Sequence, residues 1–255
     1  MEFKILTQNL HCLVENNIEK KQKIIVEAIK RKDIDIVFLQ EVAQTKTSSI
    51  ISDKIREDNY GLILKNLLLE SGLKYYFYYE PIKESFGIYD EGVAILSKYP
   101  LQFIESKFIS NITDYSNWKS RKILIYKLCR QDFTCHLGTT HFGWSDEYEV
   151  FENQFDLATE NISKRDFSIL AGDFNTIPGS KEYRHIVDKK WVDLFEFTDY
   201  YDKPTFRGDQ VSFQKPTRID YIMTNKKVDL LEKEILFIDD RVSDHFGVYA
   251  KINVL

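Results

Sequence analysis

A chain of 255 residues, 43% hydrophobic and 29% charged, is ordinary globular material and long enough to bury a core without disulfides. Its net charge of −5 withholds the overall attraction that DNA and anionic membranes exert on basic proteins. Three cysteines, Cys12, Cys129 and Cys135, cannot all pair and none stand at CxxC spacing, which sets aside a disulfide framework and a zinc site and fits a reducing cytosol.

The opening MEFKILTQNL alternates like a strand and lacks the basic and apolar regions of a secretion signal. No run is long enough to cross a bilayer, so the expectation is a cytoplasmic protein with no membrane partner. NNIEKKQKIIVEAIKRKD places Ile18, Ile25, Ala28 and Ile29 on one helical face, with Asn16 and Glu19 as its start signal. DIDIVFLQEV reads as a strand buried on both faces, and residues 48–69 as a long amphipathic helix. YYFYYEP and EGVAILSKYP follow as strands, the second closed by Pro100. Further strands are expected near 101–108, 122–129, 132–140 and 166–172. Before the last of these, EYEVFENQFDLATENI spaces Tyr148, Phe151, Phe155, Ala158 and Ile162 by threes and fours, the period of an amphipathic helix. Strands return at 218–224, 233–238 and 246–253. Without a repeat, a low-complexity linker or a composition break, the expectation is a single domain over residues 1–255. Its expected class is α/β, with two facing, mostly antiparallel β-sheets flanked by helices.

Polar tips recur on these apolar strands. SILAGDFNT runs into Asp173 and Asn175, two residues apart and therefore able to face one target in extended chain. The first strand ends at Asn9 and the second at Glu41; RIDYIMTN begins with Asp220 beside Arg218; RVSDHFGV holds Asp244 and His245; GTTHFGW holds His141. Each alone is a turn residue, a solvated strand end or a structural histidine. Together they are a set of carboxylates and amides that buried strand ends do not tolerate unpaired, so a cation is expected to gather them. Oxygen ligands without thiolates point to a hard ion, Mg²⁺ or alternatively Mn²⁺.

The segments TQNL, LQE, EGVAILSKYP, THF, GDFN, RIDYI and SDHFGV stand in the order found in the endonuclease/exonuclease/phosphatase superfamily, which this chain resembles over residues 7–248. The resemblance implies a four-layer sandwich with its site at one edge of the sheets, and metal-dependent cleavage of a phosphoester by an activated water. It implies Glu41 as principal metal ligand, with Asn9 and Asp244 supporting, and Asp173 as the group that positions or deprotonates the water. It further implies Asn175 holding phosphate or water, His245 on the scissile phosphate with Asp220 orienting it, and His141 as a second phosphate contact.

For the substrate, GIYDEGVAILSKYP, NWKSRKI and HFGWSDEYEVFENQF resemble segments of bacterial maltose 6'-phosphate phosphatases. That resemblance implies a small phosphorylated partner, a sugar phosphate, with Trp118 and Trp144 stacking on sugar faces and Arg121 gripping a phosphate with its planar fork. A DNA nuclease acting on abasic sites is the rival, but it would want a basic face, and the basic residues here are scattered among acids. A sphingomyelinase-like phosphodiesterase and a catalytically silent binding module rank lower.

Overall fold

In the computed structural model, which describes residues 1–130, 133–146, 149–162, 166–208 and 215–254, two six-stranded sheets stack face to face between helices. The first sheet is built from β1 (Glu2–Asn9), β2 (Ile36–Thr45), β5 (Tyr76–Ser85), β6 (Tyr89–Ser97), β13 (Asp229–Leu236) and β14 (Gly247–Asn253), in the order β13-β14-β1-β2-β6-β5. The second takes β7 (Gln102–Phe108), β8 (Lys122–Arg130), β9 (Phe133–His141), β10 (Phe167–Asp173), β11 (Val192–Asp193) and β12 (Asp220–Thr224), ordered β11-β12-β10-β9-β8-β7. Each sheet has one central parallel pair, β1 with β2 and β10 with β9; the other named pairs are antiparallel. Each parallel pair is joined across a helix, α1 (Ile18–Lys32) or α3 (Phe151–Thr159), because parallel neighbours need a crossover.

Alternation along the central strands sorts side chains between layers. Phe3, Ile5, Ile36 and Phe38 point at Leu137, Ile169, Ala171 and Ile222 and fill the space between the sheets. Leu6, Val37 and Leu39 face the other way, onto Ile25 and Ile29 of α1 and Leu64 and Leu68 of α2 (Tyr60–Glu70). Leu170, Tyr221 and Met223 face Phe151 and Phe155 of α3 and Tyr183 and Ile186 of α4 (Lys181–Asp188). The result is the expected four-layer α/β arrangement.

Three local expectations are corrected. Residues 48–69 are not one helix: β3 (Ile50–Ser52) and β4 (Ile55–Arg56) form a small hairpin, and α2 begins only at Tyr60. The Asn59 side chain accepts from Leu62 N at 3.2 Å and fixes that start, while Asp53 in the left-handed region turns the hairpin. Asn16 does not cap α1; Asn17 occupies the cap position, with no side-chain bond. The helix expected over 147–162 runs from Phe151 to Thr159, and its Tyr148 lies outside the described residues. Helix α4, started by Ser180 Oγ accepting from Tyr183 N at 3.0 Å, was not anticipated.

Candidate active site

Strand register assembles one half of the site. Asp173 is paired with His141 across β10–β9 and with Asp220 across β10–β12, so three polar tips stand side by side at one edge of the second sheet. Gly172 permits the close packing there: a Cβ would lie 2.1 Å from the Thr140 carbonyl oxygen. The first sheet supplies Asn9 at the end of β1, Glu41 on β2, and Asp244 and His245 at the entry to β14. Glu41 does not end its strand, as the sequence suggested. It sits in a bulge between Leu39 and Val42, in the left-handed region at φ 49°, and β2 continues to Thr45. A bulge re-aims one side chain without ending the strand. Asn175 also departs from simple alternation: its φ is 48°, and its N–H donates to Asp173 Oδ1 at 2.9 Å, a local turn that brings both side chains to one place.

Asn9 joins the two sheets. Its Nδ2 donates to Glu41 Oε1 at 2.9 Å and to Asp173 Oδ2 at 3.0 Å, while its Oδ1 accepts from His11 N at 3.0 Å. His245 Nδ1 pairs with Asp220 Oδ2 at 2.9 Å, and its Nε2 lies 3.7 Å from Asp173 Oδ2. Burial opposes a charge on His245, but the Asp220 and Asp173 carboxylates outweigh it and raise its pKa to about 10. Burial, then Asp220, pushes Asp173 up to about 7. Burial, with Glu91 and Asp244 nearby, raises Glu41 as well.

His141 goes the other way. Burial and the cations Arg121 and Lys83 lower its pKa well below the ordinary imidazole value, so the ring is neutral. Asn175 Nδ2 donates to the Phe142 carbonyl at 2.9 Å, which fixes its amide; the same Nδ2 lies 3.0 Å from His141 Nε2, so that nitrogen accepts and the ring proton sits on Nδ1. Nδ1 is buried without a hydrogen-bond partner and lies 3.8 Å from Glu41 Oε1.

Glu41, Asp173, Asn175, His141, Asp244 and His245 share one cavity of about 280 Å³. Trp118 and Trp144 are on its rim and not in the core, 62% and 41% exposed. Arg121 lines the cavity from a buried position, its Nη1 donating to the main-chain oxygens of Trp118 at 2.6 Å and Ser120 at 3.0 Å. Sequence reasoning missed seven lining residues: His11, Lys83, Ser85, Phe86, Glu91, Phe206 and Ile219. Lys83 Nζ lies 3.2 Å from Glu91 Oε1. Glu91 also accepts from Ser85 Oγ, and although burial pushes it up, Lys83 and Ser85 hold its carboxyl below the usual range. Glu91 opens the EGVAILSKYP segment, the one sequence signal for it; Lys83, beside Glu84, carries no sequence mark that separates it from a solvated lysine.

Ligand atoms of Glu41, His141 and Asp173 lie within 4.8 Å of one another, as do those of Cys12, Glu41 and Glu91. The carboxylates crowd one another in a buried place, and Glu41 and Asp173 are raised for that reason. An oxygen-rich set under like-charge strain fits a hard divalent cation. Among the described residues no helix is long and apolar enough to cross a membrane.

The sequence profile of the endonuclease/exonuclease/phosphatase family matches residues 6–245. An endonuclease/exonuclease/phosphatase family protein from Leptotrichia buccalis C-1013-b superposes with a TM-score of 0.91 at 27% identity, over 99% of this chain and 100% of that one. A mannosyl-6-phosphatase from Bacteroides thetaiotaomicron VPI-5482 has the same fold, with a TM-score of 0.70, 17% identity and coverage of 99% and 100%. So does D. rerio TDP2 solved with a single-strand DNA product, at 0.69 and 18% over 99% of each chain. Sphingomyelinase C 2 of Leptospira interrogans is 22% identical over 98% of this chain, which spans 46% of that protein's length. With the profile matched almost end to end and the same layers in its neighbours, the chain belongs to the endonuclease/exonuclease/phosphatase family.

Proposed function

We propose that this chain is a divalent-metal-dependent phosphoesterase that hydrolyses a phosphate monoester, a sugar phosphate such as maltose 6'-phosphate, by attack of water. The observation that carries the reading is the cavity itself: an acid, amide and imidazole floor under a rim of exposed Trp118 and Trp144. A charged floor suits the phosphoryl group, and flat exposed indoles suit the faces of an uncharged polyol. Both sheets supply floor residues, which supports reading residues 1–255 as one domain.

Glu41, Asn9 and Asp244 are assigned as the residues that hold Mg²⁺, with Mn²⁺ the alternative. Bound there, the ion would neutralise phosphoryl oxygens and acidify water. The rest falls to the protein. Asp173, raised to about 7 and held by Asn9 and Asn175 N–H, accepts the proton of the attacking water. His245, kept as imidazolium by Asp220, presents Nε2–H to a phosphoryl oxygen and stabilises the charge that builds there. Neutral His141 and the Phe142 carbonyl take both Asn175 Nδ2 hydrogens, which leaves Asn175 Oδ1 to accept from the attacking water, while His141 Nδ1–H makes the second phosphate contact.

The test is phosphate release by the Mg²⁺-loaded protein from a panel of sugar phosphates, beside nicking of an abasic duplex and cleavage of sphingomyelin. The reading expects phosphate from the sugar esters, abolished by EDTA. Nicking or sphingomyelin cleavage without phosphate release would overturn it.

A further inference from the structure

Two loops carry the exposed tryptophans of the rim, and one buried acid ties them together. Trp118 sits on the loop between β7 and β8, closed at its base by Ile109 N–H donating to the Arg121 carbonyl at 3.0 Å. Trp144 sits on the loop between β9 and α3, just beyond His141. Glu149, on this second loop and only 3% exposed, reaches across to the first: its Oε1 accepts from Ile112 N at 2.9 Å and its Oε2 from Asn111 N at 3.1 Å. Gln154 of α3, also buried, completes the joint. Its Nε2 donates to Glu149 Oε2 at 3.4 Å, and its Oε1 accepts from Gly143 N, next to Trp144, at 2.9 Å. On the outside, Lys119 Nζ donates to Asp146 Oδ2 at 2.6 Å, a second link between the same loops. That pair is partly exposed, and such pairs hold little. A buried carboxylate on two main-chain N–H groups is the stronger tie. Neither loop belongs to a sheet, so strand register leaves their outer ends unplaced, and Glu149 places them.

We propose that Glu149 is a positioning residue that locks the Trp118 and Trp144 loops into one rim, so that a ring-bearing phosphate meets two indoles already in place while a ring-free phosphate gains nothing from them. The inference rests on the sugar-phosphate reading and deepens it by naming what sets the preference. Glu149 does not line the cavity, and its effect reaches the substrate only through the loops it joins. Loops pinned before binding lose less freedom when the ligand arrives. An indole acts through its flat face, so the benefit falls on rings and not on the phosphoryl group.

The test is Glu149→Gln, which keeps the shape of the side chain but leaves one acceptor for two main-chain donors. Two measurements are made on the Mg²⁺-loaded protein: time-resolved fluorescence anisotropy of its tryptophans, and turnover of the best sugar phosphate beside glycerol 3-phosphate, a ring-free monoester. Trp191 is buried and adds a constant rigid signal to both proteins. The variant is expected to show faster local motion of its indoles. Its KM for the sugar phosphate should rise about tenfold with kcat held, the entropy of re-ordering two rim side chains, while glycerol 3-phosphate turnover stays within about threefold. A variant that melts normally and keeps the unaltered anisotropy would overturn the lock, as would an equal loss on both esters. So would an unaltered protein with the same kcat/KM for both esters, whether or not the variant folds. Loosened indoles in a protein that releases phosphate from no sugar ester would indict the sugar reading and leave the lock standing.

Discussion

Replacing Asp173 with asparagine should stabilise the metal-free protein while disabling it. Asp173 is buried, and its pKa stands at about 7 where an ordinary aspartate has 3.8. A carboxylate raised on folding gives its full contribution below the unfolded value and loses it as pH rises through the folded one. At pH 8 the folded protein thus carries a penalty of about 4 kcal/mol relative to the unfolded chain, at roughly 1.4 kcal/mol for each pH unit between the two values. At pH 5 the penalty is only about 1–2 kcal/mol by the same arithmetic. The substitution would remove it, but an amide has one acceptor where Asp173 now accepts from both Asn9 and Asn175. One lost hydrogen bond costs about 1–2 kcal/mol. The net gain is about 2–3 kcal/mol at pH 8 and about zero at pH 5, and for a domain of this size 1 kcal/mol shifts the melting temperature by roughly 2–4 °C. Thermal melts in EDTA should show Asp173→Asn about 5–10 °C above the unaltered protein at pH 8 and level with it at pH 5. Its turnover with Mg²⁺ should fall by about 10²–10⁴-fold. An equal shift at both pH values, or none at pH 8, would refute the reasoning.

Asp220→Asn removes the carboxylate that keeps His245 protonated and leaves the burial that opposes charge. Because a raised imidazole holds its proton below its pKa, kcat/KM should drop about 10²-fold at pH 8.5 and distinctly less at pH 6; a profile parallel to that of the unaltered protein would remove His245 from its role. Trp118→Ala should raise KM for the best sugar phosphate about tenfold with kcat nearly unchanged, since an exposed ring at the rim contributes binding and no chemistry; a loss confined to kcat would contradict the platform assignment.

The polar tips were legible in sequence because an apolar strand ending in Asn, Asp or His is conspicuous against its own pattern. Their convergence was not, since it depends on register: Asp173 opposite His141 and Asp220 is a fact about β9, β10 and β12 together. Glu41 looked like a strand end because its bulge exists only through pairing with β6. The span 48–69 misled because Ile50 and Ile51 extend the apolar spacing of α2 upstream, and neither is buried in the folded chain. Helix α4 buries only Tyr183 and Ile186, too few positions to announce a period. Lys83 stayed hidden because nothing local separates a buried cation from a solvated one. The tryptophans, by contrast, were resolved only by the structure, which took them out of the core.

Strand β14 lies against β1, so neighbours in the first sheet come from opposite ends of the chain. Asn9 is made early and His245 late, yet each is inert until the other arrives. A ribosome-bound nascent chain halted before residue 244 carries the residues of α1 and of the second sheet and still has no Asp244 or His245 to close the cavity. Hydrolysis can therefore serve as a stopwatch for synthesis: the first turnover marks the moment at which β14 has docked.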